Sequence, residues 1–208
     1  MLHNIFNLHV LSVSIWLPIL AGIVVLLLGS DKKADFTRWL ALAGSLAAFF
    51  ATLPLVTKYN FAAGAFQFEE MAQWIPAFNI NYHLGVDGIA APLILLTSFT
   101  TLIVVIAGWQ VITKNIAQYM AAFLIMSGLM IGVFSALDGI LYYVFWESML
   151  IPMFLVIGIW GGENRVYATI KFFLYTLLGS LLMLVAFIYL YHRTNSFEVK
   201  ISMYCHSL

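Results

Sequence analysis

The 208-residue chain is 63% hydrophobic and 9% charged with a formal net charge of +0, where a soluble domain carries roughly 25% charged residues. With a mean hydropathy of +1.01, this excludes an ordinary soluble domain and indicates an all-α polytopic membrane protein whose solvent is the lipid bilayer. The 9 basic residues never cluster densely, which excludes nucleic acid as a partner. The single cysteine, Cys205, excludes an intrachain disulfide or a multi-cysteine metal centre.

A membrane-crossing helix needs about 20 mostly apolar residues, and six stretches qualify. The first is 10–28, followed by the polar loop Ser30–Arg38. Basic residues follow the span rather than precede it, so it reads as a retained helix and not a cleaved signal. The second is 39–57, closed by Lys58. The segment 59–83 is the one long connection. Phe78, Ile80 and Tyr82 alternate there with Asn79, Asn81 and His83, and Phe66 and Phe68 flank Gln67. Period two suits a small hairpin over the helix ends, with Trp74 and Tyr82 as interface anchors.

The third span, 86–109, is expected to carry Asp87 in its first turn and Pro92 further in. The fourth, 119–137, presents Gly128, Gly132 and Ser135 as a small-residue face for close packing in lipid. Asp138-Gly139 is a minimal turn, so the fifth span, 140–160, is its antiparallel neighbour. The sixth, 168–191, has Lys171 near its start and a small, polar strip of Thr176, Gly179 and Ser180. Residues 192–208 form a weakly patterned tail. Lys32, Lys33, Arg38, Lys114 and Arg165 follow spans one, three and five, against Lys58, Arg193 and Lys200 on the other side. That bias places the first set in the cytoplasm or its equivalent, the N-terminus outside, and the 59–83 connection extracytoplasmic.

Glu147 is the polar residue that demands an explanation. No charged residue lies within eight positions of it on either side, and a charge at mid-membrane costs about 2.5–3.5 kcal/mol on insertion scales. A glutamate merely hydrogen-bonded between helices is one reading. The other is a proton site: desolvation favours the protonated carboxyl, a nearby cation favours the ionised one, and moving the cation switches the charge. Pro152 has no amide hydrogen, so the Ser148 carbonyl beside Glu147 loses its helical partner. An ordinary packing kink would look the same in sequence. Lys171 reads either as a snorkelling anchor or as a relay reaching inward with Tyr175 one turn deeper. His83 and Asp87 are spaced i, i+4 and would share a face if the third helix began early enough; capping at the outer boundary is the plainer account. Asp138 most simply caps the fifth helix. The five histidines, His3, His9, His83, His192 and His206, include no His-x-x-x-His pair. The chain therefore shows no metal site and no redox centre of its own.

Phe145-Trp146-Glu147-Ser148-Met149-Leu150-Ile151-Pro152-Met153, followed by Gly158-Ile159-Trp160-Gly161, resembles the fifth helix of a known subunit type. This is the chain 4 (bacterial subunit M) membrane subunit of respiratory NADH:quinone oxidoreductase, complex I. Ala168–Thr176 and Tyr82–Ile89 resemble other segments of that family, in the same order. The resemblance implies an antiporter-like fold of roughly fourteen helices in two inverted repeats, each with a proton half-channel. It implies that Glu147 is the fifth-helix glutamate, paired with a lysine on the seventh helix, and that Lys171 matches a sixth-helix lysine. NADH, flavin, iron–sulfur clusters and quinone are then expected on partner subunits or at their interfaces. Other membrane subunits of complex I would be the protein partners, in a bacterial cytoplasmic or mitochondrial inner membrane. The sequence ends after six spans, before the seventh-helix lysine, and Ile201–Leu208 does not resemble the family's continuation. The expectation is an N-terminal fragment or an early stop, inactive alone. Two alternatives stay open: a subunit of a related cation/proton antiporter complex, and a non-transporting scaffold or inactive truncated product.

Overall fold

A computed structural model describes residues 9–60, 66–194 and 196–198, without the side chain of Lys32. Most of the 192–208 tail lies outside the described residues. Six helices are long and apolar enough to cross a membrane: α1 (Val10–Leu28), α2 (Ala34–Thr57), α3 (Ala90–Val111), α4 (Ile116–Ser135), α5 (Gly139–Trp160) and α6 (Arg165–Thr194). Between α2 and α3 lies a hairpin of β1 (Gln67–Ile75) and β2 (Ile80–Val86). The chain is thus an integral, multi-pass membrane protein.

In lipid each helix satisfies its own backbone, so which helix is central depends on packing rather than on apolar content. Helix α4 is central: 56% of its apolar window is buried, against 6% for α6 at the edge. It packs on α1, α2, α3 and α5, and α6 packs on α5. The crossings are close because the small face is real. A β-carbon added at Gly128 would lie 2.5 Å from the carbonyl oxygen of Ile15 in α1, and one at Gly132 would lie 2.8 Å from the Phe145 ring in α5. One apolar core joins Leu11, Ile15, Ile131, Leu141 and Phe145 to Leu84 and Val86 of the hairpin. A second, at the other end, is built on Val25, Ala41, Val105, Met120 and Leu124.

Several ends differ from the sequence expectation. Helix α2 starts at Ala34 rather than near residue 39, because the polar loop is mostly helix. Asp31–Lys33 forms one 3-10 turn and Thr37 Oγ donates to the Lys33 carbonyl at 3.1 Å. Helix α3 starts at Ala90, not at residue 86: Val86 closes β2, and Asp87 Oδ1 accepts the amides of Ile89 at 3.1 Å and Ala90 at 2.6 Å. Asp87 therefore precedes α3 and caps it. The helices α4 and α6 each begin three residues earlier than expected, and α6 runs three residues further, to Thr194.

The hairpin's second strand is also displaced by two residues, since Pro76–Phe78 forms a 3-10 turn and Asn79 adopts φ 54. Its alternation does not separate a wet face from a dry one. Asn81 is 5% and His83 6% exposed, because β2 is covered on both sides. The Asn81 amide donates to Asp138 Oδ2 at 3.2 Å, and the His83 carbonyl accepts the Leu137 amide at 2.9 Å.

Glu70 of β1 is a second buried acid. Its Oε1 accepts the Leu11 amide at 2.8 Å, its Oε2 accepts the Ser12 amide at 3.2 Å and the Ser12 hydroxyl, and His9 Nδ1 lies 3.7 Å away. A strand thus supplies the N-terminal acceptor for α1. Glu70→Ala strands buried amides at a positive helix end and is expected to destabilise the chain by about 1–3 kcal/mol. Glu70→Gln, which keeps one acceptor, is expected to lose less. Thermal melts in detergent, with proteolysis near residue 12, measure both.

Candidate proton site

Helix α5 is held at its N-terminus by Asp138, fully buried, whose Oδ1 accepts the amides of Ile140 at 2.9 Å and Leu141 at 3.2 Å. The same carboxylate holds β2 through Asn81, and the Phe197 carbonyl accepts the Gly139 amide at 2.9 Å. Helix, hairpin and the segment at Phe197 therefore meet at Asp138 and Gly139. From there α5 rises about 1.5 Å per residue, which puts Glu147 roughly 12 Å into the helix.

Phe145 meets Gly132 and so faces α4. Two residues on, at about 100° each, Glu147 points away from α4 and towards the α6 side. The facing register follows from contacts along both helices. Gly158 meets Thr169, the rings of Phe154 and Phe173 lie 5.6 Å apart, and those of Tyr142 and Phe187 lie 6.4 Å apart. Ser180 is therefore level with Glu147. It is 4% exposed, one of two buried residues on α6 with Thr169. Tyr143, one turn before Glu147, lies on the same side of α5, and the Ser180 hydroxyl donates to the Leu177 carbonyl of its own helix at 2.9 Å. Despite these neighbours, Glu147 Oε1 is buried and makes no hydrogen bond, and no ion pair reaches the carboxylate among the described residues.

Ser148 does not complete the site: its Oγ donates to the Val144 carbonyl of its own helix at 2.7 Å. Pro152 is buried within α5, one turn further. Lys171 is on α6 but is not brought to Glu147. By the same register it is level with Val156, about 13 Å along the axis from Glu147. It is exposed, and its Nζ sits 5.6 Å from the Tyr167 ring centre and 6.0 Å from that of Tyr175. Tyr175 itself is 68% exposed and faces outward.

His83 and Asp87 do not share a helix face, because β2 and the α3 cap separate them. His83 instead lies between Glu69, 3.7 Å from Nε2, and Glu198, 3.6 Å from Nδ1. Sequence reasoning passed over Tyr143, although its i, i+4 spacing to Glu147 was there to be used. It took Ser180 only as part of a packing strip.

The geometry is that of a carboxyl group near the middle of α5 with no ion pair among the described residues. The α6 helix beside it is largely uncovered. Such a group takes or gives a proton according to whether a cation approaches.

Residues 13–134 match the family described as NADH-ubiquinone oxidoreductase chain 4, amino terminus. Residues 136–206 match the membrane family described as NADH:quinone oxidoreductase/Mrp antiporter. NADH-quinone oxidoreductase subunit M of Rickettsia prowazekii is 39% identical over 195 residues, which are 93% of this chain and 40% of that protein. A chain of respiratory complex I from Thermus thermophilus superposes with a TM-score of 0.75 at 28% identity, over 92% of this chain and 38% of that one. A chain of the Mrp complex from Dietzia shares the fold, with a TM-score of 0.77 at 17% identity over 91% of this chain and 20% of that one.

Proposed function

Because the chain belongs to the NADH-ubiquinone oxidoreductase chain 4 family, we propose that it is part of a proton-translocating membrane subunit of an NADH:quinone oxidoreductase. Glu147 is its intramembrane proton site. The supporting observation is the buried, unpartnered Oε1 of Glu147 beside α6, whose apolar window is only 6% buried. A cation brought to that side ionises the carboxyl, and its withdrawal returns the proton. The Tyr143 hydroxyl, one turn away on α5, holds the near end of the route. The cation comes from outside the six helices described, since Lys171 lies too far along the axis.

In this reading NADH, flavin, iron–sulfur clusters and quinone belong to partner subunits, and electron transfer there drives the cation. The assembly is translocase-class, and this chain alone does not pump. It sits in a bacterial cytoplasmic or mitochondrial inner membrane with the α1–α2, α3–α4 and α5–α6 loops on the cytoplasmic or matrix side. The α5–α6 match is common to oxidoreductase and Mrp subunits, whereas the chain 4 match over 13–134 favours the respiratory complex. Affinity purification of the tagged chain from its native membranes tests this. Co-purification with flavin- and iron–sulfur-containing subunits that oxidise NADH is expected. Recovery with cation-transport subunits that leave NADH untouched would replace the reading with the antiporter one.

A further inference from the structure

The turns that follow α3 and α5 enclose a cavity of about 380 Å³, lined by Lys114, Asn115, Ile159, Trp160 and Arg165 among others. Its walls are tied together. The Trp160 indole N–H donates to the Lys114 carbonyl at 3.1 Å, and the Trp160 ring meets Tyr119 edge-on at 5.3 Å. Ile112, on the same lining, receives a hydrogen bond from Arg38 Nη2 at 3.4 Å, so the α1–α2 end belongs to the same side of the bundle.

Two cations line this cavity without an ion pair among the described residues. Lys114 and Arg165 are exposed, and neither forms an ion pair or a side-chain hydrogen bond among the described residues. Two carboxylates are near. Asp31 is occupied by the amides of Asn115 at 3.0 Å and Ile116 at 2.9 Å. Glu163 lies in the α5–α6 turn and pairs with neither cation. Arg165 also opens α6, so the positive end of a 30-residue helix adds to the field.

We propose that this cavity binds the phosphate of an anionic phospholipid headgroup. The shared chemistry is a phosphate group. The lipid is the source because the cavity lies where membrane helices end, beside a tryptophan of the interfacial type and the exposed apolar side chain of Ile159. Lys114 and Arg165 grip the phosphate from two sides, Arg165 through its planar donor fork. Juxtamembrane cations favour anionic over zwitterionic lipid by a few-fold each, so the pair is expected to prefer anionic lipid about tenfold or more.

Photoactivatable phosphatidylglycerol and phosphatidylcholine with the same acyl chains, added to native membranes holding the chain with its partners, test this. Phosphatidylglycerol is expected to label peptides covering 111–115 and 159–165, and phosphatidylcholine about tenfold less. The double variant Lys114→Gln/Arg165→Gln should lose the labelling, and Lys114→Arg/Arg165→Lys, which keeps both charges, should retain most of it. Equal labelling of the wild type and the glutamine variant overturns the proposal, as does loss of labelling in the charge-keeping variant. Excess inorganic phosphate should not displace the lipid. If it does, the site is one for soluble phosphate and the lipid assignment fails.

Discussion

Glu147→Gln, made in the assembled complex, is expected to slow proton transfer through this site on the order of a hundredfold. Assembly and NADH oxidation with an artificial acceptor should persist. Glutamine keeps the shape and the hydrogen-bonding capacity of the side chain but has no titratable proton. The packing that holds α5, through Phe145 on Gly132 and Asp138 on three amides, does not involve the carboxyl. A structural role for Glu147 would therefore be nearly spared by this substitution. A transport role would not. Quenching of a pH-sensitive dye in sealed vesicles, normalised to NADH consumed, gives the ratio directly. An unchanged ratio would remove Glu147 from the proton route.

Gly128→Ala is expected to destabilise the bundle by about 1–3 kcal/mol, the usual range for overpacking, and towards its upper end. The added methyl would sit 2.5 Å from the backbone oxygen of Ile15 and 2.5 Å from Ile19 Cγ1. A flexible side chain tip can yield, but a helical carbonyl yields only if α1 and α4 separate. That pairing is the most extensive in the chain. Gly179→Ala is the matched comparison, since nothing lies within 4 Å of the β-carbon it would add. It should be neutral, or slightly stabilising through helix propensity, in the purified chain. In an assembly that covers α6 it should become costly. Melting curves of both variants, alone and in the complex, separate the two situations.

The helical architecture was legible because lipid leaves the sequence few choices: an apolar run of sufficient length must be a helix. The small face at Gly128 and Gly132 was legible for the same reason. Boundaries were less so, since a cap such as Asp87 stopping α3 at Ala90 depends on local hydrogen bonds that periodicity does not encode. Glu147 stood out as a lone charge in an apolar run. Its setting did not, because Ser180 reaches its level only through the antiparallel register of α5 and α6. Glu70 shows the limit most clearly. Its partners are 58 and 59 residues away, and in sequence it is one of two adjacent acids. Most of β1 is exposed on both faces, so nothing local marks Glu70 as the acid that turns inward while Glu69 stays exposed.

The length of α6 has one more consequence. Thirty residues extend about 45 Å, well beyond a hydrocarbon thickness of about 30 Å. The segment bounded by Lys171 and His192 measures roughly 32 Å, close to that thickness. On that register Arg165–Ile170 is expected among the headgroups with Tyr167. On that scale Ser180, and with it Glu147, lies about 13 Å from one hydrocarbon boundary and about 18 Å from the other. The carboxyl is expected near the midplane, so a proton passing through it would have roughly equal distances to travel to either side.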